Sequence, residues 1–319
     1  MDPGSIRLDL GWAQGRIVAL TIVHHQPQAA RLLRGLPVAE AVARLPRLFS
    51  LCSRAQGAAA RSAQLAATGQ ASEGDDAAVA AEAAQEHLWR LLIDWPRELG
   101  LAQQQRDFAR WRRELLRDAQ SINAAGLVAY LEQEFFGMAL SPWLCLSEPE
   151  QLRHWSEHQR TPGARLCAAL LRSEDAGAPP SAENELGALR RRRGDGLLAQ
   201  LPPLAARVVA RMRELAAQVL RDQSRPLPGM VVASPLGEGR GRSSVETARG
   251  SLVHELEIAA GKVASYTIVT PTEVNFAAQG PLHSLLLGRA CASAEAALSL
   301  ARRCALALDP CVACSVKLA

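Results

Sequence analysis

Segments that alternate like β-strands occur only near the two ends of this chain, and the long stretch between them has helical periodicity. A strand cannot stand alone, because its backbone N–H and C=O groups need partners. The ends must therefore form local hairpins or meet across the helical middle. One candidate hairpin joins residues 5–10 to 16–23, with Gly11-Trp12-Ala13-Gln14-Gly15 between them. The other joins 251–258 to 262–270 through Ala260-Gly261.

The middle predicts a helix from Pro37, with proline in the first turn. Pro46 should end or kink it. Further helices are predicted over 52–67, 77–94, 103–120, 123–137, 148–158, 162–173, 203–222 and 293–307, from apolar residues at i, i+3, i+4 spacing. Loops are expected over 69–76, 173–180 and the Gly/Pro-rich stretch 226–242. Gly237-Glu238-Gly239-Arg240-Gly241 lacks the Gly-Lys-Ser/Thr ending of a phosphate-binding Walker loop. The run Arg190-Arg191-Arg192-Arg193 reads as a solvated helix end. No internal repeat is visible. The reading is an α+β chain, mostly helical, forming one domain over 1–319. Its 319 residues suffice for a substantial core.

Of 36 basic residues only Lys262 and Lys317 are lysine. An arginine excess can mark nucleic-acid binding. Here the arginines are interleaved with acids, as in Arg106-Asp107 and Arg112-Arg113-Glu114, and the net charge is only +4. High-GC coding favours Ala and Arg alike, so no nucleic-acid partner is expected. No 18-residue apolar run exists, so no transmembrane helix is expected. Met1-Asp2-Pro3-Gly4 has neither the basic nor the apolar part of a secretory signal. Seven cysteines, odd in number and irregularly spaced, argue against a disulfide framework. A reducing cytoplasm with some thiols as ligands fits better.

The chemistry-bearing motif is Asp309-Pro310-Cys311-Val312-Ala313-Cys314, close to the C-terminus. Two thiolates separated by two residues can converge on one soft metal ion. A closed zinc site needs a second close pair, which is lacking, and a thioredoxin-like pair should follow a strand rather than a helix. Cys52, Cys145, Cys167, Cys291 and Cys304, each taken alone, read as small buried hydrophobes.

Three segments share one resemblance. The Asp309–Cys314 motif looks like the DPCxxC motif of nickel–iron hydrogenase large subunits. Residues 246–276 (ETARGSLVHELEIAAGKVASYTIVTPTEVNF) are similar to the large-subunit pattern of Ala-Pro-Arg-Gly, a hairpin, then Pro-Thr/Ser-x-x-Asn. Residues 33–52 (LRGLPVAEAVARLPRLFSLC) resemble the stretch leading into Arg-x-Cys-x-x-Cys. Aligned on Arg47, Phe49 replaces the first cysteine and Cys52 keeps the second. The resemblance implies that Cys52 and Cys314 match the two metal-bridging cysteines, and that Cys311 matches a nickel-only ligand. Arg249 and Thr272 match donors to the cyanide ligands of iron, and Leu252 and Pro271 match apolar walls near the diatomic ligands. Ala248 stands where the family usually has Pro. No counterpart of the proton-transfer glutamate is visible. Lys317 replaces the His of the cleavage site, so the resemblance implies a product that needs no processing.

A shorter relative of the large subunit with these losses resembles the hydrogenase expression/formation family HupK, also called HoxV. The resemblance implies a large-subunit-like fold, a helical core with small antiparallel sheets, whose site forms where the terminal segments meet. It implies a non-enzymatic maturation factor in the cytoplasm. The factor would transiently hold iron carrying cyanide and carbonyl, without nickel. Expected partners are maturation chaperones, the iron-assembly protein and the immature large subunit. Two alternatives stand beside it: a metal-free docking chaperone and a reduced nickel–iron hydrogenase. Phe49 speaks against the latter, since a phenyl ring cannot ligate nickel.

Overall fold

A computed structural model describes residues 4–25, 29–49, 51–70, 76–119, 122, 125–172, 184–221 and 229–319. The expected loop over 173–180 lies outside the described residues, as does most of 69–76.

Strands β1 (Ser5–Ala13) and β2 (Arg16–His25) form the first hairpin. Its turn is tighter than expected, with Gln14 and Gly15 both at positive φ. Ile6, Leu8 and Leu10 of β1 are fully buried on alternate positions. Helices follow in order: α1 (Val38–Arg44), α2 (Ser53–Ala67), α3 (Asp76–Trp89), α4 (Trp95–Glu98), α5 (Gln105–Arg117), α6 (Ala125–Tyr130), α7 (Leu140–Leu144), α8 (Pro149–His158), α9 (Pro162–Arg172), α10 (Ala188–Arg191) and α11 (Pro203–Val219). Pro37 precedes α1 and Pro46 lies in a 3₁₀ turn after it, as those prolines predict. The expected helices over 77–94 and 123–137 each change into a π-helical turn, at Arg90–Asp94 and Leu131–Phe136.

Four strands then form an antiparallel meander: β3 (Val231–Gly237), β4 (Arg240–Thr247), β5 (Gly250–Ala259) and β6 (Lys262–Val269). The stretch 226–242 was expected to be a loop. Instead, residues 231–237 are a strand and 240–242 begin the next. Among the described residues of that stretch, Gly237 and Gly239 take positive φ at the β3–β4 turn, and Pro235 and Gly241 answer to the sheet. Pro235 is tolerated because β3 is an edge strand. Gly241 is required because a Cβ there would lie 2.1 Å from the Ala63 carbonyl oxygen of α2. Helix α2 presses its Ala-rich face onto this sheet, and Ser243 Oγ donates to the Ala59 carbonyl at 2.7 Å.

Helices α12 (Pro271–Asn275), α13 (Pro281–Leu286) and α14 (Ala294–Leu308) lead to β7 (Ala313–Leu318). β7 was not expected. It pairs in parallel with β1, from Ser5 opposite Ala313 to Leu10 opposite Leu318. The first sheet, β2-β1-β7, is therefore mixed, and only the second is wholly antiparallel. The ends of the chain do meet, and they meet as neighbouring strands.

The largest core is helical. It gathers Trp95, Phe136, Trp143 and nearly the whole length of α11 with the buried face of β1. Two smaller clusters lie between α2 and the second sheet, and between α1 and the same sheet. The four-arginine run ends α10 with Arg190, Arg191 and Arg193 exposed, as expected, but it also carries ion pairs. Arg191 pairs with Glu214 and Glu246, and Arg192 donates to the Arg213 carbonyl. Cys167, Cys291 and Cys304 are buried, as expected of small hydrophobes, but Cys145 is exposed.

Candidate functional site

Cys52 does not lie within a helix, as the 52–67 helix expectation had it. It is the residue before α2, with φ 58° and ψ 30°. A non-glycine residue in this left-handed region carries local strain, which the surroundings must enforce. Cys52 makes no side-chain cap. The first free N–H groups of α2 go instead to Glu82 of α3, whose two carboxylate oxygens accept from Arg54 N at 2.9 Å and Ala55 N at 3.0 Å. The thiol is thus spared from capping and turns toward Arg249.

Arg249 sits in the tight turn between β4 and β5 and is almost wholly buried. Thr247 Oγ1 fixes the turn, accepting from Arg249 N at 3.1 Å and donating to the Gly250 carbonyl at 2.8 Å. Gly250 has φ +131°, and a Cβ there would fall 2.6 Å from Leu186 Cβ. The turn is pressed against residues 186–187, and Asn275 holds that segment. Its Oδ1 accepts from Leu186 N at 2.9 Å and its Nδ2 donates to Leu186 O at 3.1 Å. The glycine and asparagine of the resembling motif therefore lock one turn against one loop.

From this turn the Arg249 guanidinium reaches three groups. Nη1 donates to Cys52 Sγ at 3.1 Å. Nη2 donates to Glu86 Oε2 of α3 at 2.6 Å. Nε lies 3.3 Å from Asp309 Oδ1. Asp309 closes α14 with a left-handed backbone, φ 55°, two residues before Cys311. Its Oδ1 also accepts from Arg90 Nε at 2.7 Å, and its Oδ2 lies 3.0 Å from Arg211 Nη1. Burial alone would push the Asp309 carboxyl up. The guanidinium groups of Arg249, Arg90 and Arg211 outweigh burial and hold it well below the usual carboxylate range.

Thr272 fastens the second cysteine. Its Oγ1 donates to Cys311 Sγ at 3.2 Å and accepts from Cys311 N at 3.1 Å. Thr270 caps α12 in a capping box with Glu273, which places Pro271 and Thr272 in the first turn. Both are buried. Cys52 and Cys311 are close enough for each other's charge to matter. Burial pushes the Cys52 thiol up, Arg249 opposes this, and the charges of Glu82, Glu86 and Cys311 add to the rise.

The structure therefore brings together Cys52, Arg249, Thr272 and Cys311. Leu252 packs in the cluster that Cys52 joins. Cys314 sits on β7 opposite Ile6 and packs against the main core, with its thiol pushed by burial to about 11. Phe49 packs against the cluster of Leu33, Leu45 and Tyr266. Among the described residues, no three or more His, Cys, Asp or Glu side chains are gathered as a ready metal cage. Sequence reasoning missed Glu82, Glu86, Arg90 and Arg211. Each is an ordinary helix charge by spacing. Only Asp309 could have been found, as part of the motif beside Cys311.

Residues 202–317 match the family model for nickel-dependent hydrogenase. The hydrogenase expression/formation protein HupK of Azotobacter vinelandii is 34% identical over 316 residues, covering 92% of this chain and 91% of its own. The chain belongs to the HupK family. Within it, HupV of Azotobacter chroococcum is 32% identical, covering 99% of this chain and 98% of its own. HoxV of Cupriavidus necator is 29% identical, covering 93% and 92%. The fold is that of nickel–iron hydrogenase large subunits. The reduced, active nickel–iron–selenium hydrogenase of Desulfomicrobium baculatum superposes with TM-score 0.58 at 13% identity, over 95% of each chain. The NAD⁺-reducing nickel–iron hydrogenase in its H₂-reduced state gives 0.54 at 15%, over 93% of each. The HupK-family chain thus carries the large-subunit architecture with its terminal segments brought to one seam.

Proposed function

We propose that this protein is a non-catalytic hydrogenase maturation factor, a cytoplasmic scaffold that holds an iron–cyanide–carbonyl unit as cargo for the hydrogenase large subunit. The names of its relatives, hydrogenase expression/formation proteins, support the maturation role. One observation carries the finer reading. A buried arginine joins Cys52 to the aspartate of the DPCVAC motif, and a buried threonine rests on Cys311. Docking alone does not call for two thiols held under buried donors.

In this reading Cys52 and Cys314 are the iron ligands and Cys311 helps capture or release the unit by thiolate exchange. Arg249 and Thr272 donate to the sulfurs when the cargo is away and to the cyanide nitrogens when it is bound. A cyanide nitrogen is an electron-rich acceptor, and charged or hydroxyl donors in a dry pocket orient it. Leu252 and Pro271 supply apolar wall. Phe49, in place of a cysteine, removes a nickel ligand, so specificity comes from subtraction. The chain works as one large-subunit-like domain. Its partners are maturation chaperones, the iron-assembly protein and the immature large subunit.

The test is an infrared spectrum of protein purified without oxygen from cells making hydrogenase, with iron and nickel counted on the same sample. Cyanide and carbonyl bands with iron and no nickel are expected. Cys52→Ala and Cys314→Ala should lose the iron while the chain stays folded. Normal iron loading in both variants overturns the ligand assignment. Absent bands in an otherwise intact maturation complex move the function to metal-free docking. Stoichiometric nickel with hydrogen uptake moves it to an enzyme.

A further inference from the structure

Arg90 is the first residue of the π-helical turn after α3, and no motif points to it. It is nine-tenths buried, with its guanidinium 4.8 Å from the centre of the Trp89 ring. Such π-turns shift one residue out of the α-helical register and recur at functional sites. Here the shift coincides with a side chain aimed at the aspartate beside Cys311. Both Arg90 Nε, at 2.7 Å, and Arg90 Nη2, at 2.6 Å, converge on a single oxygen, Asp309 Oδ1. Nη1 is tied to Asp94, itself paired with Arg97. Arg90 is therefore held from behind and cannot swing away.

The same oxygen is the one nearest Arg249 Nε, at 3.3 Å. That Nε is buried and has no hydrogen-bond partner. A buried, unmatched guanidinium N–H calls for an explanation. The explanation is competition. Two donors of Arg90 already occupy Oδ1, the oxygen nearest Arg249, while Oδ2 faces Arg211 in an ion pair at 3.0 Å without a hydrogen bond. Paired with Asp309 by charge but without a hydrogen bond to it, the Arg249 guanidinium keeps its hydrogen bonds to Glu86 and, through Nη1, to Cys52 Sγ.

We infer that Arg90 is a positioning residue: by occupying Asp309 Oδ1 with two donors, it keeps the Arg249 guanidinium directed at the Cys52 sulfur. Without Arg90, Oδ1 becomes free, Arg249 Nε closes on it, and the planar guanidinium must rotate or retreat, taking Nη1 from Cys52. The inference about geometry stands on the cargo-free chain. Its consequence for a bound iron unit rests on the function proposed above.

Two measurements separate these. The first compares crystal structures of the unaltered chain and Arg90→Gln. The expected result is an Arg249 Nε to Asp309 Oδ1 hydrogen bond in the variant and loss of the Nη1 to Cys52 Sγ contact. An Arg249 guanidinium that stays in place overturns the inference, whatever the cargo. If Arg90→Gln fails to fold, Arg90→Lys carries the same test. It keeps the buried charge but offers Oδ1 a single nitrogen in place of the fork. The second measurement is the infrared spectrum of the loaded chain. Arg90→Gln should shift the same cyanide band as Arg249→Lys, leaving the band that moves in Thr272→Val in place. Arg90→Lys should restore part of that shift. Bands superimposable on those of the unaltered protein overturn the positioning role in the loaded state. Absence of bands in the unaltered protein overturns the scaffold function and leaves the first measurement to decide the geometry.

Discussion

Cys52 and Cys311 face each other across the seam, yet the two sides are held in different ways. The packing beneath Cys52 is a matter of volume, even though Arg249 holds its thiol. Helix α2 lies so close to β4 that only glycine fits at 241, and a mostly alanine face fills the rest. The Cys311 side is a matter of charge and hydrogen bonding. Asp309 gathers three arginines from three separate elements, and Thr272 makes two bonds to one cysteine. Close packing tolerates changes of charge nearby and resists added atoms. A buried ion cluster does the reverse: it tolerates small changes of shape, and fails when one partner is lost. The support of α2 is therefore set by sterics and the Asp309 cluster by electrostatics, with Arg249 joining the two.

The largest effect should come from breaking the charged side. Asp309→Ala leaves Arg90, Arg211 and Arg249 buried without their common counter-ion and should cost roughly 3–5 kcal/mol, read by chemical denaturation. Gly241→Ala is the matching insult to the packed side. With a Cβ 2.1 Å from the Ala63 carbonyl oxygen, α2 must lift from the sheet. A loss of about 1–3 kcal/mol is expected, and the variant should keep the acid response of Asp309. If Gly241→Ala melts like the unaltered chain, the close-packed account of the Cys52 side is wrong.

Acid should tell the sides apart in another way. His254 of β5 is buried against Tyr266, and burial pushes it down to about 3. The unfolded chain takes up a proton at this residue near pH 6.5 while the folded chain does not. Stability should therefore fall from about pH 6.5 toward 3, with a limiting slope near 1.4 kcal/mol per pH unit for one proton. Burial also lowers His87, which adds to the fall in the same direction. Asp309 acts later. Its folded value is lowered, so its contribution is complete above about pH 4 and is lost only as the pH drops further. His254→Gln should flatten the first limb and leave the second; an unchanged first limb would put it elsewhere.

The smallest effect sharpens the contrast at one hydroxyl. Thr272→Val keeps the shape of the α12 turn and removes both bonds to Cys311, leaving its N–H unmet. A loss of about 1–2 kcal/mol is expected. Cys311 should react faster with an alkylating probe while Cys52 does not change. Equal changes at both thiols would mean that Thr272 does not act on Cys311 alone.

Much of this could be read from the chain. The β1–β2 hairpin, the β5–β6 hairpin, α2 and α14 follow from periodicity, and α11 from its length and apolar content although it is buried nearly all round. β3 and β4 were hidden because the glycines and proline that mark loops also mark edge strands and close approaches. The alternation Gly241, Ser243, Val245, Thr247 was a usable signal of small buried residues. β7 was hidden because six residues beside a cysteine pair read as a tail, and its partner lies at the other end of the chain. At the site, the cysteines, Arg249 and Thr272 were legible by motif. Glu86, Arg90 and Arg211 were not, because a helix charge shows its burial only when a distant carboxylate meets it.

The parallel pairing of β1 with β7 also orders events in time. A ribosome making this chain exposes β1 long before β7, so the pairing of the two strands must wait for residues 313–318. Contacts of such sequence separation form slowly, because a long loop must close first. The seam that brings Cys311 to Cys52 is therefore among the later contacts to form.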